Sequence, residues 1–410
     1  MKKYFAIFVA LLISVDCFAE ENLPKSTTVP TIIKGDELGS ALKILAQLRA
    51  ESITSKDYQD TNSADEYVNS AAKVNFISHA ILNSKWFLEV NFRAEQLKSQ
   101  NSRDKNYGGE GAYLREARLG YSDRDFMLFA GKFRPFFGIA WRNGRNNWMD
   151  YAANNQEQFD YNNTRGIWSD YIANNYAQTE KLGAGAVLKS GNAKTVGKYE
   201  LGLSFFTNDR KNLDNSVINN RASATKSDAL PGDTRSLKSY VASLDVSFDF
   251  AQDEKLFYRF AYIDLAVNSL ASSVDSSKVG DQKGFSAAMN YQYPVTPDFN
   301  LNGLAEYVSM KNVGGNSDIN DDYFNASVVG NIFQNWNITA AYGNQKNIYL
   351  SRNGFDQDMA EVSAGYRFDK NAFFDSLLIQ TGYRNLRTNY HSNVDTKNTV
   401  GVLMRYIKNF

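Results

Sequence analysis

The sequence predicts an all-β fold: a transmembrane, antiparallel up-and-down β-barrel of about sixteen strands. Three observations carry this reading. Apolar and polar residues alternate with a period of two in window after window, which puts one apolar and one polar face on each segment. The links between windows alternate between short and long, as they do in a barrel with tight turns on one side and loops on the other. Aromatic residues are abundant, with 27 Phe, 24 Tyr and 5 Trp, and many fall near the proposed strand ends. Composition excludes other classes. The 45 basic and 45 acidic residues cancel, which argues against a nucleic-acid partner. Only Tyr4 to Val15 is continuously apolar, and it is too short to cross a bilayer as a helix.

That apolar window sits behind Lys2 and Lys3 and ahead of Cys17-Phe18-Ala19, so residues 1–19 read as a cleaved secretory signal. Lipoprotein processing at Cys17 is the rival, but Asp16 is a poor fit to the small residue such a site needs. Cleavage after Ala19 removes the only cysteine and leaves no thiol for disulfide or metal chemistry. Residues 20–36, with Pro24 and Pro30 and no apolar period, form a flexible leader, and 37–410 form the barrel.

The clearest strand runs from Ser239 to Phe250. Tyr240, Ala242, Leu244, Val246, Phe248 and Phe250 share one parity, against Val241, Ser243, Asp245, Ser247 and Asp249 on the other. The pattern recurs from Phe285 to Tyr293 and from Trp336 to Gly343. Further windows begin near Ala41, Ala71, Lys85, Ala112, Phe126, Leu182, Tyr199, Lys255, Phe299, Tyr323, Met359, Leu377 and Thr399. Two of them are ambiguous. Ala41 to Glu51 is built of good helix formers, and only parity makes it a strand. In Lys255 to Val267 the charges of Arg259 and Asp264 fall on opposite parities. Long connections are expected at residues 53–66, 96–111, 135–180, 208–234, 268–281, 311–320, 346–356 and 387–397.

Two stretches carry a family resemblance. The ending TVGVLMRYIKNF, Thr399 to Phe410, resembles the terminal signal read by the outer-membrane assembly machinery through its last Phe, although Lys408 stands where such signals carry an apolar residue. YLREARLGYSDRDFMLFAGKFRPFFGIAW, Tyr113 to Trp141, resembles the phosphate-selective porin O/P family of Gram-negative outer membranes, as does Val74 to Phe92. The resemblance implies a sixteen-stranded homotrimeric porin with its long third loop folded into the lumen. The residues themselves fit such a loop, because 135–180 is too long for a hairpin connection and is rich in Trp, Tyr and Asn. Lys132, Arg134, Arg142 and Arg145 form a run free of acid, and Asp150, Glu157, Asp160 and Asp170 follow. These are the candidate constriction residues. The family's arginine ladder has candidates in Arg49, Arg93 and Arg118, interleaved with Glu51, Glu89, Glu95 and Glu116.

Catalytic signals are lacking. His79 and His391 are isolated, Gly108-Gly109-Glu110-Gly111 lacks a following Gly-Lys-Ser/Thr, and Asp318 to Asp322 lacks the spacing of a calcium loop. The expectation is therefore a passive channel of the outer membrane, without cofactor or metal, that admits small hydrophilic solutes with a bias toward anions. Its expected surroundings are outer-membrane lipid and lipopolysaccharide. A plugged barrel serving as an adhesin or structural protein is the alternative, with an outer-membrane hydrolase behind it.

Overall fold

A computed structural model describes residues 33–34, 41–59, 67–82, 85–96, 105–106, 110–140, 166–178, 181–207, 236–250, 254–267, 278–333, 335–349, 354–368, 373–390 and 393–410. Eighteen hydrogen-bonded segments form one sheet, and two of them, Ile33–Lys34 and Lys105–Asn106, are only two residues long. The sixteen others are β1 (Ala41–Gln59), β2 (Tyr67–Leu82), β3 (Trp86–Gln96), β4 (Glu110–Ser122), β5 (Phe126–Phe133), β6 (Lys181–Asn192), β7 (Gly197–Thr207) and β8 (Ser239–Asp249), followed by β9 (Lys255–Leu265), β10 (Gln282–Thr296), β11 (Phe299–Lys311), β12 (Ile319–Ile332), β13 (Trp336–Tyr349), β14 (Phe355–Phe368), β15 (Ser376–Tyr390) and β16 (Asn393–Asn409). Each long strand pairs antiparallel with its neighbours in sequence. The circle closes where β16 pairs with β1, from Lys397↔Gln59 to Asn409↔Gln47. Closure leaves no free edge, so the backbone is satisfied without water. Phe410 completes the seam, its N–H donating to the Ala46 carbonyl at 2.9 Å.

Parity decides which residues face out. Along β8, Ser239, Val241, Ser243 and Asp245 are buried on the inside, while Leu244 is 38% exposed on the outside. Phe285, Met289 and Tyr293 in β10 and Trp336, Ile338 and Tyr342 in β13 are likewise exposed, as the alternation predicts. A continuous apolar exterior over a polar interior is the arrangement lipid requires and water forbids. Aromatics border it at both ends. Trp86, Tyr121, Tyr199, Tyr293 and Trp336 lie near the short turns, and Tyr262, Phe285, Tyr307, Phe324 and Tyr342 toward the other side.

Both ambiguous windows resolve as strands. Ala41 to Glu51 opens β1, because two neighbours on the ladder outweigh its helix propensity. In β9, Arg259 faces inward and pairs with Asp245, its Nε donating to Oδ1 at 2.6 Å, whereas Asp264 ends the strand outside beside Lys283 at 3.7 Å. One expectation needs correction. Three of the proposed long loops are half or more strand, since β1 runs on to Gln59, β13 to Tyr349, and β15 and β16 are separated by only residues 391–392, whereas the connection expected at 311–320 is a loop over 312–318. The ladders continue past the apolar band because backbone pairing needs no apolar side chain, so the end of alternation marks the edge of the band and not the end of the strand.

Candidate functional site: the lumen and its inward loop

Behind β5 the chain turns into the barrel. Phe136, Phe137, Ile139 and Ala140 are buried, as are Ile167, Trp168, Ile172, Ala173 and Tyr176 in the second described part of the loop. Glycines on the inward parity of the wall make room for them. A Cβ at Gly284 of β10 would lie 3.1 Å from Phe137 Cζ, and one at Gly401 of β16 would lie 2.7 Å from Trp168 Cζ2. The loop therefore lies along the wall from β7, where Phe136 faces Gly202, round to β16.

Two wall carboxylates hold its backbone. Glu306 of β11 accepts the N–H groups of Ile139 at 2.9 Å and Ala140 at 2.6 Å, the Tyr176 hydroxyl at 2.7 Å and the Ser286 hydroxyl at 2.8 Å. Glu361 of β14 accepts the N–H groups of Ile167 and, at 3.0 Å, Trp168. Arg384 of β15 lies between the rings of Trp168 and Tyr171, 5.1 and 4.8 Å from their centroids. A buried carboxylate accepting several N–H groups is a strong, directional anchor.

The remaining wall, β16 and β1 to β5, is charged. Glu51 binds three cations: Arg49, whose Nε donates at 2.8 Å, Lys73, and Arg405 from across the closing seam. Arg93 donates to Asn75 Oδ1 at 2.6 Å and lies 3.4 Å from Glu95. Arg134 lies 2.6 Å from Glu116. Arg115 occupies a β-bulge opposite Asn91 and Phe92, within the fields of Arg93, Arg134 and Glu116, and among the described residues its buried Nε has no hydrogen-bond partner. Among the described residues, Arg49, Lys73, Arg93, Arg115, Arg134 and Arg405 thus outnumber the carboxylates beside them, Glu51, Glu95, Glu116 and Asp170, a surplus of positive charge. Asp170 on the inward loop acts on Lys73 and Arg405 from the loop side.

The sequence-derived candidates are distributed unevenly over this site. Arg49 and Arg93 sit on the charged wall. Arg118 is 2% exposed, bonded to Glu89 at 2.8 Å and stacked near Phe87 and Phe129, so its charge is neutralised within the wall. Lys132 is 4% exposed and donates to the Leu114 carbonyl at 2.6 Å. Arg142, Arg145, Asp150, Glu157 and Asp160 lie outside the described residues. Sequence reasoning missed Lys73, Arg115, Arg405, Glu306 and Glu361. Four of these lie on the inward parity of their strands, where a lone charge among small or polar neighbours was the available signal, and the bulge hid the parity of Arg115. His79 faces inward on β2, His391 lies outside the described residues, and among the described residues no metal-binding cluster forms. Asp318 to Asp322 is split instead of gathered: Asp318 pairs with Lys278, Asp321 accepts from Tyr323 at 2.7 Å inside, and Asp322 accepts from Tyr307 at 3.1 Å outside.

No family model and no curated protein matches the chain. Solved structures do. An anion-selective porin from Comamonas acidovorans aligns at a TM-score of 0.50 and 10% identity, over 90% of this chain and 100% of that one. OmpF of Salmonella typhi, solved with daunomycin, aligns at 0.50 and 12%, over 90% and 98%. The outer-membrane channel DcaP of Acinetobacter baumannii aligns at 0.49 and 13%, over 91% and 98%. The fold of this chain, a closed sixteen-stranded antiparallel barrel, is the one seen in outer-membrane porins.

Proposed function

We propose that the chain is an outer-membrane porin through which small hydrophilic solutes and ions diffuse, with a preference for anions. The observation that carries this reading is the positive surplus on the inward wall of β16 and β1 to β5, opposite a loop pinned to the other wall by Glu306 and Glu361. Sixteen strands enclose a space wider than wall side chains fill, and charge at the narrowest point biases what passes. No chemistry and no cofactor are needed. The apolar exterior fits outer-membrane lipid and lipopolysaccharide, Phe410 at the seam fits recognition by the assembly machinery, and a homotrimer is the expected assembly.

Liposome swelling tests the function. Purified chain should admit small sugars and carboxylates and exclude larger ones, while a plugged barrel of adhesin type would admit none and a hydrolase would release fatty acid. Two narrower expectations accompany it. Residues 1–19 act as a cleaved signal, so intact mass of the mature chain should begin at Glu20 without lipid, and a lipidated Cys17 would overturn that assignment. Arg142 and Arg145 add to the positive side of the constriction together with Lys132 and Arg134, and Asp150, Glu157 and Asp160 to its negative side. Replacing Arg142 and Arg145 with Glu should shift the cation to anion ratio by roughly fivefold or more at low salt. The same exchange at Lys226 and Arg235, in the next long connection, which is expected outside the lumen where bulk solvent screens it, should do much less.

A further inference from the structure

Where the inward loop turns between Trp168 and Tyr176, its two sides differ. Ile172, Ala173 and Tyr176 are buried, while Tyr171, Asn174 and Asn175 are exposed and Asp170 is half-buried. Among the described aromatic side chains of the loop, Phe136, Phe137, Trp168 and Tyr176 are buried and Tyr171 alone stays open, at 36%. The turn explains the grouping. Asn174 N–H donates to the Asp170 carbonyl at 2.9 Å and Asn175 N–H to the Ile172 carbonyl at 3.1 Å, so residues three and four apart share a side. The loop lies inside the barrel, so what this side exposes it exposes to the lumen.

Two of the exposed groups are held from behind by the wall. The Arg384 guanidinium lies over one face of the Tyr171 ring, 4.8 Å from its centroid, and Arg384 Nη2 donates to Thr399 Oγ1 at 3.0 Å. Asn175 Nδ2 donates to Gln345 Oε1 at 2.6 Å, and Gln345 Nε2 donates to Asp321 Oδ2 at 3.2 Å. Charges of both signs meet at this edge of the charged wall. Arg384, Lys397, Lys73 and Arg405 stand around the turn with Asp57, Glu361 and Glu51, and Asp170 belongs to the turn itself. A flat ring flanked by two amides and a carboxylate, among charges of mixed sign, matches a sugar. A pyranose presents an apolar C–H face to an aromatic ring, and its rim of hydroxyls donates to carboxylate or amide oxygens and accepts from amide N–H groups. We propose that Asp170, Tyr171, Asn174 and Asn175 form a saccharide subsite in the lumen, with one sugar ring stacked on Tyr171. The subsite rests on the channel reading above and names a solute class for it.

Bilayer recordings in potassium chloride with added maltotriose, and saturation-transfer NMR of the detergent-solubilised full-length chain with the same sugar, test the subsite with and without current. Maltotriose should block the open current saturably. Its half-blocking concentration should rise about fivefold to tenfold in Tyr171→Ala and about threefold in Asn174→Ala, each variant being measured against its own open current. Tyr171→Phe, which keeps the ring, should be blocked as the unaltered chain is. Saturation should pass to the C–H protons of the sugar in the unaltered chain and weaken in Tyr171→Ala. Sorbitol, an open-chain polyol without a ring face, should neither block nor receive saturation. An open current that maltotriose leaves unblocked, with no saturation transfer, would overturn the subsite and leave the channel standing. Equal block by sorbitol, or half-blocking concentrations that neither alanine variant raises, would also overturn it. Block by benzoate in place of maltotriose would do the same, by marking an aromatic-anion site. A barrel that passes no current would overturn the channel reading, while saturation transfer would still decide whether the sugar binds.

Discussion

Truncating Glu306 and Glu361 to alanine is expected to release the inward loop and raise single-channel conductance, with a barrel that still folds. The two carboxylates together accept the N–H groups of Ile139, Ala140, Ile167 and Trp168 and the Tyr176 hydroxyl. Each buried donor left without an acceptor costs about 1 to 3 kcal/mol, so the seated loop loses roughly 5 kcal/mol or more relative to a solvated one. The wall strands lose nothing comparable, because their stability lies in the closed backbone ladder. Glutamine at both positions should give an intermediate effect, since one amide oxygen remains to accept. Bilayer recordings and liposome swelling with larger sugars check this. Unchanged conductance and size limit in the double alanine variant would mean that the apolar seat of Phe136, Phe137, Trp168 and Ile172 holds the loop by itself.

A comparably large effect is expected on assembly from a single arginine on the outer face. Leu244 is exposed on the outside near the middle of β8, and Ser243 is buried on the inside. An arginine facing lipid near the midplane costs about 2 to 4 kcal/mol, whereas the polar interior can solvate one. Leu244→Arg should therefore reduce the yield of heat-resistant folded barrel in outer-membrane fractions far more than Ser243→Arg. Equal losses would contradict the assignment of the two faces.

The two-residue period made both faces of β8, β10 and β13 legible in the sequence, because an interior and an exterior of opposite polarity impose it on every residue. Strand length was less legible. Beyond the apolar band nothing selects for alternation, so the polar extensions of β1, β13, β15 and β16 read as loop. The charged wall was half visible for a related reason: Arg49 and Arg93 follow strand parity, but the link between Arg405 and Glu51 spans nearly the whole chain and exists only once the barrel closes. Glu306 and Glu361 carried no motif at all. Their significance comes from backbone N–H groups in a distant loop, and a backbone donor has no sequence signature. Arg115 was hidden by the bulge, which breaks the parity that located its neighbours.

The zero-current potential of the reconstituted channel in a potassium chloride gradient at low salt tests the proposed function most directly. Lys73 and Arg49 are the most open cations around Glu51, with side chains 37% and 31% exposed. At about 8 Å and an effective dielectric of 40 to 80, each charge changes the energy of a passing monovalent ion by roughly 0.5 to 1 kcal/mol before screening. The unaltered channel should show a potential of the sign that marks anion preference, and Arg49→Glu/Lys73→Glu should move it toward cations, with the shift fading as salt rises. A cation-selective unaltered channel, a potential that the double variant leaves in place, or a barrel that passes no current would contradict the account.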